Sequence, residues 1–110
     1  MSFMTYGQDV ILSQDKTTQK IELKCNAESA FKLAFLEANS ESWTIVNATP
    51  TLYVFSAKTP GLMKRWDDDV NVMVEANDSI STITVKSKLT HKPNVEYISA
   101  YLNAILEKKK

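Results

Sequence analysis

Apolar and polar residues alternate along several short segments of the chain, whereas two longer segments repeat apolar residues at helical spacing. Residues 18–25 alternate between apolar side chains and lysine or glutamate, which predicts a half-buried strand. Asn26 then serves as a helix cap, and alanine and phenylalanine recur at helical spacing over residues 27–38. The alanine-rich stripe predicts a helix that lies close against a sheet.

Four more strands are predicted along the middle of the chain, followed by a second helix. Residues 43–48 and 52–58 are two apolar segments separated by a proline-containing turn. Apolar and polar residues alternate over 69–76 and 80–89, so each segment predicts a strand with one face exposed to solvent. A last helix begins at Pro93. The predicted order is β-α-β-β-β-β-α, an α+β fold with a five-stranded antiparallel sheet, the first strand beside the last, and two helices on one face.

The segments 43–48 and 52–58 carry apolar side chains on both sides, so both sides of these strands need cover. The second cover is residues 10–12, a second copy of the chain, or a ligand, and the sequence leaves all three open. We expect residues 1–16 to be a partly ordered N-terminal segment, in which residues 10–12 form a short strand or pack on the body. Residues 17–110 are expected to form a single domain.

Composition and charge narrow the classes of function. The 110 residues include 13 basic and 13 acidic side chains, so no net field attracts nucleic acid, and we expect no nucleic-acid partner. Cys25 is the single cysteine and lies on the apolar side of its predicted strand, which favours a buried thiol and a cytoplasmic location. The apolar run at residues 10–12 is too short for a signal sequence or a membrane span, so we expect no integral membrane segment.

The connection at residues 57–70 collects the most unusual side chains. Leu62, Met63 and Trp66 lie within about one helical turn, beside two basic residues. One interpretation is an apolar tip with a basic collar that inserts into a partner, a lipid surface or the mouth of a ligand cavity. The alternative, which we favour, is that Leu62 and Trp66 plug the open end of the sheet, because single large apolar residues in loops usually pack.

Catalytic and metal chemistry finds little support in the sequence. Residues 67–69 are three aspartates, but they lack the spacing of a calcium loop, and neighbouring residues on a strand point to opposite sides. His91, the single histidine, has no nucleophile or orienting acid near it in sequence. Two glycines are too few for a phosphate-binding loop. We therefore expect a non-enzymatic protein with no catalytic residue, no metal and no cofactor.

The segment 57–60, Ala-Lys-Thr-Pro, together with Trp66, Asp68 and the alternating strands that follow, resembles small uncharacterised bacterial domains with a K-T-P…W connection. The order of elements also looks like a reduced version of the helix-grip fold of the START and Bet v 1-like families. The resemblance covers residues 18–107, although this chain has fewer strands than the full fold. It implies a carrier of a small hydrophobic ligand, held between the last helix and the sheet, and it assigns no catalytic residue.

Two functions from different classes follow. The first is a small binding or protein-interaction module, which is expected to form a homodimer or to bind another protein. The second is a carrier of a small hydrophobic ligand. The residues predicted to bind a partner or an apolar ligand are Leu62, Met63, Trp66, Trp43, Tyr53 and Phe55.

Overall fold

A computed structural model describes residues 10–60 and 68–109, which form an antiparallel sheet and two helices. The elements in chain order are β1 (Ile11–Leu12), β2 (Thr18–Leu23), α1 (Ala27–Ser40), β3 (Thr44–Thr49), β4 (Val54–Lys58), β5 (Asp69–Asn77), β6 (Ile80–Lys86) and α2 (Lys92–Lys109). The side-by-side order in the sheet is β1-β2-β6-β5-β4-β3. As predicted, β3 to β6 form a meander and β2 pairs with β6.

The prediction of five strands is wrong, because the described residues contain a sixth strand, β1, at the edge beside β2. A tight turn returns the chain onto β2. The Asp15 carboxylate accepts hydrogen bonds from the hydroxyl groups of Ser13 and Thr17, each at 2.7 Å. These bonds hold the pKa of Asp15 at about 2, below its ordinary value. Of the two alternatives for residues 10–12, the short strand is confirmed, although a strand of two residues is too short for alternation to establish it.

Strand β4 begins at Val54, two residues later than predicted. Residues 50–52 form a 3-10 turn, and Tyr53 ends that turn with a left-handed backbone, φ 57° and ψ 46°. Its amide donates to the Pro50 carbonyl at 3.1 Å, and its carbonyl accepts from the Val74 amide at 2.9 Å. Tyr53 is therefore a corner residue and not a strand residue.

Both helices pack on one face of the sheet, as predicted. Alternate residues of the central strands are buried there, including Val72 on β5 and Ile83 on β6. The alanines of α1, Ala30, Ala34 and Ala38, are fully buried, so the helix lies close to its neighbours. The Asn26 side chain caps α1 by accepting from the Ser29 amide at 2.8 Å. Large side chains complete the core at α2, namely Ile98, Tyr101, Leu102 and Ile105.

Candidate interaction surface

Two of the predicted binding residues, Trp43 and Phe55, lie in the core. Trp43 is 4 % exposed, its ring stacks on Tyr101 with centroids 4.1 Å apart, and its indole N–H donates to the Tyr97 hydroxyl at 2.8 Å. Phe55 is 2 % exposed, and Phe35 meets it edge-on. These side chains hold the helices on the sheet and present no surface to a partner.

Tyr53 stays half-buried at the corner before β4, where its ring meets the edge of Phe31 with centroids 6.0 Å apart. The two rings line an open groove of about 480 Å³ between α1 and the 3-10 turn, together with Glu28, Lys32, Pro50 and Thr51. Leu62, Met63 and Trp66, the other predicted binding residues, lie outside the described residues.

The side of the sheet opposite the helices, here called the open face, is not covered by any described segment. Strand register arranges its side chains in four rows that run across the strands, about 6.8 Å apart. The basic row contains Thr44, Lys58 and Asp69. The amide row contains Asn47, Ser56, Asn71, Lys86 and Thr18. The central row contains Thr49, Val54, Met73, Thr84, Lys20 and Ile11. The acidic row contains Glu75, Thr82 and Glu22.

A shallow depression of about 380 Å³ lies between the amide and central rows. Val54 and Met73 are paired across β4 and β5, and both are half-buried. Beside them the Ser56 hydroxyl donates to the Asn71 side-chain oxygen at 2.6 Å. The middle of the open face is therefore apolar and concave, with hydroxyl and amide groups next to it.

Two further apolar side chains are exposed on β3 and on the 3-10 turn that follows it. Val46 is 61 % exposed in the edge strand β3, where the pairing with β4 is irregular between Ile45 and Asn47. Leu52 is 68 % exposed on the 3-10 turn. Strand β1 lies at the opposite edge of the sheet and does not cover them. Of the three covers considered from the sequence, residues 10–12 therefore do not supply the second one.

Charges are separated along the strands of the open face. At one end, Lys58 and Lys88 contact the Asp69 carboxylate at 3.0 and 3.4 Å. Hydrogen bonds to Lys58 first, and then to Lys88, hold the pKa of Asp69 below its ordinary value. At the other end, Glu22 and Glu75 are exposed and flank Thr82. Lys58 and Lys88 together outnumber Asp69 at one end, and Lys86 lies in the neighbouring amide row, whereas the acidic row has two glutamates. Net positive charge therefore lies toward one end of the face and net negative charge toward the other.

A buried polar network lies at the end of the sheet near the start of α2. Asp68 is 1 % exposed, and its carboxylate accepts from the amides of Lys88 and Leu89 at 2.9 and 3.2 Å and from the Asn94 side chain at 2.8 Å. The backbone N–H of Asn94 donates to Nδ1 of His91 at 3.4 Å. Since its hydrogen bonds go to backbone and Asn94, the Asp68 carboxylate acts as a clamp between β5 and α2.

Ionisable groups also meet between the two helices. The buried Glu37 carboxylate contacts Lys108 at 2.6 Å. Burial, followed by the hydrogen bond and charge of Glu37, raises the pKa of Glu41. Burial, followed by the charge of Glu37, raises the pKa of Tyr101, whose hydroxyl donates to the Ala34 carbonyl at 2.6 Å. This cluster joins the two helices.

No protein-family model and no curated protein matches the chain. The likeness to helix-grip and K-T-P…W domains therefore stays a prediction. Within residues 10–60 and 68–109, no helix is long and apolar enough to span a membrane. The same residues contain no group of three histidine, cysteine, aspartate or glutamate side chains that could hold a metal ion.

Proposed function

We propose that this protein is a non-enzymatic protein-interaction module that self-associates through the open face of its sheet. The observation that supports this most is the apolar middle of that face, formed by Val54 and Met73, which no described segment covers. An apolar centre with a polar rim is the usual anatomy of a protein interface. The buried positions of Trp43 and Phe55 move the proposed surface to the opposite side of β3 and β4 from their side chains.

The size of the face sets the expected strength of association. The five longer strands, β2 to β6, lie about 4.8 Å apart, and with four rows about 6.8 Å apart they cover roughly 500 Å² in projection. Stable complexes bury about 800 Å² on each partner. We therefore expect a weak, reversible dimer, with a dissociation constant in the micromolar range or above.

The test is molar mass by light scattering over a concentration series that extends into the millimolar range. We expect the mass of the wild type to rise toward that of a dimer and the mass of Met73→Lys to remain that of a monomer. A charge at position 73 would have to be desolvated in the middle of the interface. The control is Leu36→Lys, which changes a 60 % exposed leucine on α1. A wild type that stays monomeric would contradict the proposal, and so would an equal weakening of association in Met73→Lys and Leu36→Lys.

The second candidate is the carrier of a small hydrophobic ligand. The groove beside Tyr53 favours it, because about 480 Å³ falls within the volume range of small-molecule sites. The position expected from the sequence, between α2 and the sheet, is filled by the fully buried side chains of Tyr101 and Leu102. A ligand in the groove would raise the melting temperature of the wild type and leave that of Phe31→Lys unchanged. Absence of any shift across a set of apolar and aromatic compounds would count against this function.

A further inference from the structure

We propose that the second copy lies face to face on the open face with its strands antiparallel to those of the first, so that Lys86 of each copy sits between Glu22 and Glu75 of the other. This inference rests on the proposed self-association and specifies its geometry. It follows from the register of β2, β6 and β5, which places Lys86 two residues on one side of the central row and the two glutamates two residues on the other.

The strand order supplies the lateral match. Lys86 lies on β6, and Glu22 and Glu75 lie on its two neighbours, β2 and β5. A two-fold axis along the central row places the amide row of one copy over the acidic row of the other. Each Lys86 then lies over Thr82 of the other copy, with a glutamate on either side. Packed sheets are about 10 Å apart, a gap that lysine and glutamate side chains cross from opposite sides.

The same axis stacks the apolar parts of the two copies. Met73 and Val54 lie on the central row, so each faces its counterpart across the axis and is removed from water. Every contact is repeated by symmetry, as an isologous dimer requires. The arrangement therefore combines an apolar centre with two lysine–glutamate clusters outside it.

The alternative alignment, with strands of the two copies parallel, places each row over itself. A two-fold axis along β6 would then place Glu22 of each copy over Glu75 of the other, which brings four carboxylates together. Like charges opposed across an interface are strongly unfavourable. Charge separation along the strands therefore selects the antiparallel alignment.

Lys20 is unfavourable in this arrangement. Lys20 lies on the central row, so it faces its own counterpart near the rim. Lys20 and Lys86 are both exposed on the open face, and both carry one positive charge. The proposal nevertheless assigns them opposite effects, since removal of Lys20 relieves a repulsion and removal of Lys86 deletes an attraction.

The experiment compares the dimer dissociation constants of Lys86→Gln and Lys20→Gln by sedimentation at low salt. We expect Lys86→Gln to weaken association by at least about tenfold, because two lysine–glutamate clusters are lost per dimer. Lys20→Gln is expected to bind as tightly as the wild type or more tightly. Added salt should weaken the wild-type dimer. Equal effects of the two substitutions, or a stronger loss with Lys20→Gln, would overturn the alignment.

A charge exchange completes the test. Lys86→Glu and the double variant Glu22→Lys/Glu75→Lys should each be monomeric alone, because each repels its own copy. Their equimolar mixture should form a heterodimer, since each new charge then meets its opposite. Wild-type dimers that Met73→Lys dissociates, but that Lys86→Glu leaves intact, would refute the alignment and retain the proposed function. A monomeric wild type would contradict both.

Discussion

Replacement of Asp68 by alanine tests the buried network that joins β5, the loop after β6 and α2. The substitution leaves three donors without their acceptor: the amides of Lys88 and Leu89 and one side-chain N–H of Asn94. Asn94 keeps a bond to the Leu89 carbonyl at 2.7 Å. An unsatisfied buried donor costs about 1–3 kcal/mol, and the two amides are only partly buried, so we expect a total loss of about 3–5 kcal/mol. Because small domains have about 5–15 kcal/mol of stability, this loss is large.

Urea denaturation measures the effect as a lower midpoint with an unchanged slope. The matched control is Asp69→Ala, one residue along the chain. Asp69 is half-exposed and pairs with Lys58 and Lys88 at the surface, where ion pairs contribute little. The aspartates at positions 68 and 69 thus differ in burial and not in chemistry. An Asp68→Ala variant that loses no more stability than Asp69→Ala would refute the assignment of Asp68 as a buried clamp.

Three further predictions concern groups outside the open face. Tyr101→Phe should lower the free energy of unfolding by about 1–3 kcal/mol, because the Ala34 carbonyl loses its buried donor; a change near zero in urea titrations would contradict this. Glu41→Gln should stabilise the protein at neutral pH, since the raised pKa of Glu41 means that its charged form is disfavoured in the fold. Relative to this variant, the wild type keeps its stability below the ordinary pKa of Glu41, 4.5, and loses it as pH rises through the raised pKa. Thermal unfolding should therefore show a difference in melting temperature between the two proteins at neutral pH that disappears in acid. A difference that is independent of pH would contradict this. The pKa of Asp15 is lowered, so the hydrogen bonds by which its carboxylate stabilises the turn after β1 are present above pH 3.8 and are lost as pH falls toward 2. The amide resonance of Ile11 should shift over that pH interval in the wild type and stay constant in Asp15→Asn.

Local patterns in the sequence predicted most of the fold. Alternation identified β2, β5 and β6, and the Asn26 cap with its alanine stripe identified α1. The alternation of residues 80–89 predicts too late an end for β6, because the amides of Lys88 and Leu89 donate to Asp68 and not to a neighbouring strand. That partner is about 20 residues away in the chain, and no local pattern reveals such a contact.

The candidate surface was only partly predictable. The sequence shows that β3 and β4 are apolar on both sides, but the predicted binding residues Trp43 and Phe55 lie on the side that the helices cover. Large aromatic residues contribute most to a core, so they are poor indicators of an exposed face. Met73 was the available signal, because it is the apolar residue among the outward positions of β5. Its position beside Val54 depends on strand register, which the sequence does not specify.

The measurement that tests the central claim most directly is the molar mass of the wild-type protein in solution as its concentration is raised. Self-association through the open face predicts that the mass rises from that of a monomer toward that of a dimer. In Met73→Lys the mass should remain that of a monomer. A mass that stays at 12.4 kDa throughout the series would contradict the proposed function.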